Sequence, residues 1–104
     1  MERKISNEEY PARKSMQTFA GKWILFIIFQ INRRIIRYGE LKLAIPSISK
    51  KMLIDELKFL CGKGLIKKKQ YPEAPSRVKY SSTPFGEMVL PTIDKIAKFG
   101  VENL

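Results

Sequence analysis

The segment 46–82, "PSISKKMLIDELKFLCGKGLIKKKQYPEAPSRVKYSS", constrains this chain more than any other. Leu53, Leu57 and Leu60 recur at the spacing that puts three side chains on one face of a helix, so residues 49–61 predict an amphipathic helix with a leucine seam. Ser49 is a good N-cap for it, because a serine oxygen can accept from a free N–H of the first turn. Gly62 and Gly64 supply the stop, one of them in the left-handed conformation that ends helices. Two strand-like runs follow, 65–71 and 77–82, joined by "PEAPS". Proline on both sides of the tip predicts a stiff, extended loop rather than a two-residue turn.

The flanks complete the pattern. "RYGELKLAI" (37–45) predicts a short helix ended by Pro46, since the residue before proline avoids the helical region. Residues 37–62 therefore read as helix, tight turn, helix. Upstream, a helix is expected from Ser15, as cap, to Asn32. "WILFIIF" (23–29) would also suit a strand, but the Ala, Lys and Met before it and the total length favour helix. Residues 1–14 read as an arm in which Pro11 prevents a continuous helix. Downstream, Thr83 as cap and Pro84 at the first helical position open a helix over 84–103. Phe85, Val89, Ile93, Ile96 and Gly100 form its apolar stripe, and Pro91 should kink or split it. The expected fold is α+β, mainly α: a single domain over 1–104, a winged helix-turn-helix with a two-stranded hairpin wing at 65–82 and terminal helices for dimerisation.

Charge narrows the function. Twenty Lys and Arg against ten Asp and Glu leave +10, and the excess is uneven. Residues 50–80 hold nine basic and three acidic side chains, whereas 81–104 hold two and three. Such polarity is the footprint of a face that meets a polyanion. There is no histidine, no Cys/His metal set, no paired-carboxylate motif and no glycine-rich phosphate loop. Neither an enzyme nor a cofactor is expected. No apolar run approaches the ~20 residues a bilayer crossing needs, nothing resembles a secretory signal, and the one cysteine cannot pair within the chain, so a cytoplasmic protein with no membrane partner is expected.

Duplex DNA is the partner that fits. In a winged helix the second helix of the motif enters the major groove, about 12 Å wide, and the wing reaches the backbone or the adjacent minor groove. Ser47, Ser49 and Lys50 at the start of helix 49–61 suit phosphate oxygens, helped by free N–H groups and the helix dipole. Lys51, Ile54, Asp55 and Lys58 lie opposite the leucines and face the groove. Asp55 would accept from a cytosine amino group or pair with Lys51 or Lys58. Arg37, Lys68, Arg77 and Lys79 complete the expected contacts, with Arg77 at the tip, where a guanidinium can straddle phosphates. Lysines in the "KKK" run (67–69) can equally serve only to protect a strand edge. The alternative reading is a winged helix used for protein interaction or non-specific nucleic-acid binding.

The motifs "GKWILFIIF", "RYGELKLAIPSISKKML", "LKFLCGKGLIKKKQYPEAPSRVKYSSTPFGEMVLP" and "IAKFG" resemble, in order, those of the HxlR family of bacterial winged-helix transcription regulators. The resemblance covers residues 10–100, and the spacing from Trp23 to Met52 fits without a gap. It implies a homodimer that binds a palindrome, with helix 49–61 reading DNA and the wing around Pro72–Arg77 on the backbone or minor groove. The arm and helices 15–32 and 84–103 would form the dimer contact, through Tyr10, Phe19, Trp23, Phe29, Val89, Ile93, Ile96 and Phe99. Trp23 also reads as a core residue. Departures bear on the signal. Tyr10 stands where many members carry a sensing cysteine, Ser47 replaces a glycine, and Phe29 a frequently charged residue. Cys61 lies elsewhere, and a redox role for it would need an exposed thiol with a lowered pKa. The signal stays open between a small ligand at the dimer interface, a thiol event at Cys61 and protein concentration alone, as do operator, target genes and sign of regulation.

Overall fold

The computed structural model describes residues 8, 10–34, 36–71 and 74–104, the side chains at 33, 71 and 74–77 excepted. In chain order the elements are α1 (Ala12–Thr18), α2 (Ile24–Arg33), β1 (Ile36–Arg37), α3 (Tyr38–Ala44), α4 (Lys50–Gly62), β2 (Ile66–Tyr71), β3 (Ala74–Ser82), α5 (Pro84–Glu87) and α6 (Leu90–Asn103). This is the expected winged helix: α3 and α4 form the helix-turn-helix, and β2 and β3 the wing.

The helix expected over 15–32 is two helices. α1 starts directly after Pro11 and stops at Thr18, so Ser15 is inside it and its carbonyl accepts from the Phe19 N–H at 3.0 Å. The break runs through Gly21, where a Cβ would stand 2.8 Å from Ile24 Cγ1 and 3.3 Å from the Glu56 carboxylate. Glycine disfavours helix and here allows the chain close to α4. α2 then restarts after Trp23 and buries Ile24, Ile27, Ile28 and Ile31, the central helix that the apolar run implied.

A second difference is β1. Arg37, expected in the helix, forms with Ile36 a two-residue strand on the free edge of β3, giving a three-stranded antiparallel sheet of order β1-β3-β2. Arg37 also precedes α3 in extended conformation. Its N–H donates to Glu40 Oε1 at 3.1 Å, while Glu40 Oε2 lies 3.4 Å from Arg34 Nη1. β3 begins at Ala74, earlier than the expected 77.

Other local expectations hold. Leu53, Leu57 and Leu60 are buried, and Ile45 and Ile48 anchor the turn between α3 and α4. The Ser49 side chain caps α4, accepting from the Met52 N–H at 3.0 Å. Gly64 is the left-handed stop, with φ of 74°. Pro91, in the first turn of α6, coincides with the split between α5 and α6. Among the described residues no helix is long and apolar enough to cross a membrane.

α5 is fastened to the base of the wing. The Thr83 hydroxyl donates to the Gly64 carbonyl at 2.6 Å and accepts from the Gly86 N–H at 3.0 Å. Gly86 itself is buried against the Leu65 backbone, leaving no room for a side chain. One cluster therefore joins α2, the α3–α4 motif, the sheet and α6 through Ile28, Ile36, Leu53, Leu65, Tyr80 and Ile93.

Candidate nucleic-acid interface

The leucine seam fixes what α4 shows to solvent. With Leu53, Leu57 and Leu60 turned inward, Lys50, Lys51, Asp55 and Lys58 are exposed, and Ile54 is half-buried beside them. Ser47 and Ser49 are exposed at the helix entrance. The Ser49 oxygen is engaged as the cap, which leaves its O–H free to donate to a phosphate. Two further α4 side chains, absent from the sequence reading, are exposed: Met52 and Phe59. Met52 sits in the first turn, where an apolar group suits a thymine methyl. Its signal was legible, an apolar residue one position off the leucine seam.

Lys51 and Asp55 form an i,i+4 ion pair, Nζ to Oδ2 at 2.9 Å, with both side chains well exposed. The lysine's hydrogen bond and charge hold the Asp55 carboxyl below the usual carboxylate range, and Asp55 raises Lys51 in return. Of the two partners foreseen for Asp55 the structure selects Lys51, while Lys58 adds only a weaker field. Asp55 thus competes with a phosphate for the Lys51 ammonium.

The sheet register sorts the wing cations onto two faces, because directly opposite residues share a face and successive ones alternate. Lys68 stands opposite Tyr80, on the face that carries buried Ile36 and Ile66 and turns toward α4. Arg37, Lys79 and Lys69 stand in one row across the three strands on the other face. The structure therefore brings Lys68 to Lys50 and Lys58 and does not bring Arg37 or Lys79 there. Lys69, expected as one of the three wing lysines but with no face assigned, joins the second group, because register across three strands is not visible in one strand's pattern. The side chain of Arg77 and the tip at Pro72 lie outside the described residues.

Lys50, Lys58 and Lys68 border a cleft of about 410 Å³ between α4 and the wing. Ile54, Leu57, Val78 and Tyr80 form its apolar walls, and Tyr38 and Cys61 also line it. Burial pushes the Cys61 thiol above its ordinary value, only partly offset by Lys68, and burial likewise raises the Tyr80 phenol. This opposes the lowered pKa that a thiol sensor needs.

The residues expected in the dimer contact divide between an apolar groove and the core. Among them Phe19 and Val89 line a groove of about 520 Å³ with Met16, Leu25, Met88 and Ile96, between α1, α2 and the C-terminal helices. Met88, Phe99 and Ile96 are 72%, 60% and 54% exposed, and Tyr10 is exposed near them in sequence to α1. Trp23 and Phe29 are half-buried against the core, with Lys22 Nζ 5.0 Å from the Trp23 ring centre. Ile93 is buried within the protomer and contributes to the core rather than to an open surface.

Comparison with known proteins matches residues 18–104 to the model of the HxlR-like helix-turn-helix family. An uncharacterized helix-turn-helix-type transcriptional regulator of Halalkalibacterium halodurans is 35% identical over 102 residues, spanning 96% of this chain and 90% of the relative. A crystal structure from Porphyromonas gingivalis W83, of a protein assigned to the MarR family of transcriptional regulators, is 82% identical. It superposes with a TM-score of 0.87 over 98% of this chain and 100% of that one. The redox regulator HypR in its reduced form is 27% identical, with a TM-score of 0.85 over 89% of this chain and 92% of that one.

Proposed function

The chain belongs to the HxlR-like helix-turn-helix family of DNA-binding transcriptional regulators, not of enzymes, and from that premise we propose that it binds a palindromic operator as a homodimer. The observation that carries the proposal is the division of its surface. Cations concentrate on α4 and the wing, where Met52 and Phe59 are the exposed apolar side chains of α4, whereas Met16, Phe85, Met88, Ile96 and Phe99 leave a larger set of exposed apolar side chains on α1, α5 and α6. Monomeric soluble proteins rarely leave large contiguous apolar patches bare, and a second copy covers this one by two-fold symmetry. Half-sites then lie about one helical turn, ~34 Å, or a multiple apart.

In this arrangement α4 lies in the major groove. Ser47, Ser49 and Lys50 hold the backbone at its entrance, while Lys51, Met52, Asp55 and Lys58 meet base edges or phosphates. Asp55 accepts from a cytosine amino group once Lys51 has turned to phosphate, which couples reading to docking. The wing, with Arg77 near its tip, lies along the backbone or minor groove. A regulator acts where the chromosome is, so the protein is cytoplasmic.

Selection from random duplex libraries at 50 and 200 mM salt, with oligomeric state measured in parallel, tests the reading. A dimer that enriches a palindrome is expected. Salt-sensitive binding without enrichment would reduce it to a non-specific nucleic-acid module, and no binding at either salt would assign the basic face to another partner.

A further inference from the structure

We propose that Met16 and Met88 are oxidation sites, and that a hydroperoxide converting their thioethers to sulfoxides dissociates the dimer. The inference rests on the reading that a second copy covers the apolar side of α1, α5 and α6, and it gives that contact a signal. Both side chains line the same apolar groove, whose walls include Phe19, Leu25, Val89 and Ile96. Met88 is 72% and Met16 57% exposed, so in the free protomer an oxidant in solution reaches both.

The step needs nothing beyond the peroxide. A sulfur lone pair attacks one peroxide oxygen and the O–O bond breaks. The hydroxide that leaves takes the proton from the transferred oxygen and departs as water. Sulfur is oxidised by two electrons and the peroxide is reduced by two. No thiolate takes part, so the burial that raises the Cys61 thiol is no obstacle.

Oxidation shifts association because it costs the dimer more than the protomer. A thioether suits an apolar contact, where it fills irregular gaps and packs against rings such as those of Phe19 and Phe85 in this groove. A sulfoxide oxygen is a strong acceptor that must keep a donor when it leaves water. In the free protomer Met16 has one at hand, since the Tyr10 hydroxyl donates to its sulfur at 3.3 Å. That bond is weak to a thioether and strengthens to a sulfoxide oxygen. A second copy closing over the groove removes water from both oxygens and offers its own apolar groove in exchange, twice over by two-fold symmetry. Met52 is the internal contrast. It is 46% exposed on α4 and does not line this groove, so its oxidation leaves association unchanged.

Full-length protein is treated with hydrogen peroxide at several protein concentrations, and its dimer is measured by sedimentation before and after. Trypsin then separates the sulfur groups for mass analysis: Met16 in 15–22, Met52 in 52–58, Cys61 in 59–63 and Met88 in 80–95. Met16 and Met88 should each gain one oxygen, faster in dilute than in concentrated protein because association shields them, while the rate at Met52 ignores concentration. The dissociation constant of the dimer should rise by on the order of a hundredfold, and methionine sulfoxide reductase should restore it. The double variant Met16→Leu, Met88→Leu keeps the groove apolar and should dimerise equally with and without peroxide. Peroxide that dissociates this variant overturns the proposal, as does a native dimer that survives with both methionines oxidised. Met16 and Met88 left unoxidised by a dose that oxidises Met52 in dilute protein overturn it too. Should the double variant fail to fold, reversal by the reductase on the native chain decides. A native chain that is monomeric before any peroxide is added is a different failure, that of the dimer reading itself.

Discussion

Gly86→Ala separates what the backbone demands from what helix propensity alone would favour. Gly86 lies in α5, and alanine is preferred to glycine in a helix by about 1 kcal/mol, so propensity predicts a small gain in stability. The packing predicts the reverse. A Cβ at this position would fall on the Leu65 carbonyl oxygen, far inside van der Waals contact, with the Leu65 carbonyl carbon at 3.0 Å. Both obstacles are backbone, and that same carbonyl accepts from the Thr83 N–H at 3.3 Å. Gly86 cannot simply slide away. Its N–H is held by the Thr83 hydroxyl at 3.0 Å, and its carbonyl accepts from Asn32 Nδ2 at 3.4 Å.

Relief therefore means moving α5 off the start of β2. Overpacking of this kind costs about 1–3 kcal/mol, and loss of the Thr83 cap adds about 1 kcal/mol. After subtracting the propensity gain, the net destabilisation is about 2 kcal/mol, which for a domain of this size lowers Tm by on the order of 10 °C. Thermal unfolding followed by circular dichroism measures it, at one protein concentration throughout, since association makes Tm concentration-dependent. Gly39→Ala is the control: it lies in α3 with nothing within 4 Å of the added atom, and should be neutral or stabilising by up to about 1 kcal/mol. A Gly86→Ala protein as stable as the native one, or more so, would refute the close approach of α5 to the wing base.

Lys51→Ala and Lys58→Ala should each flatten the log–log dependence of DNA affinity on salt by about one unit, if each neutralises one phosphate; a slope unchanged in both would remove these contacts. Asp55→Asn should tighten binding to random duplex severalfold while enriching a less defined sequence, because it releases Lys51 and deletes the acceptor; electrophoretic titration against random and selected duplexes checks both. The pH midpoint for Cys61 alkylation should lie above that of a free thiol, since burial outweighs the nearby Lys68 ammonium. Because the fold favours the protonated thiol, any stability this contributes is complete below the ordinary thiol value and is lost as pH rises through the raised one.

Features set by short-range chemistry were legible in the sequence, and features set by register were not. Ser49, Gly64, Thr83, Pro84 and Pro91 act through their own backbone or the next few residues, so each could be placed from the chain alone. The leucine seam could too, because helical period is local. The break between α1 and α2 was missed because Gly21 is tolerable inside a helix by propensity, and the crowding around it, from Ile24 Cγ1 and from Glu56 thirty-five positions on, exists only in the folded chain. β1 escaped for a similar reason: two residues carry no pattern, and Ile36 and Arg37 are a strand only because β3 offers an edge. The wing lysines were identified as cations, but their faces were not, since Lys67, Lys68 and Lys69 differ only in which β3 residue each opposes.

That last point governs how the surface works. Were the wing lysines all on one face, a phosphate strand along α4 would meet every one of them. The register instead turns Lys68 toward α4 and sets Lys69, in line with Arg37 and Lys79, on the far side. A phosphate strand lying along α4 meets the α4-facing group, Lys50, Lys58 and Lys68, first. Lys68→Ala should therefore flatten the salt dependence of DNA affinity more than Lys69→Ala, and equal effects of the two would refute the division of the wing into two faces.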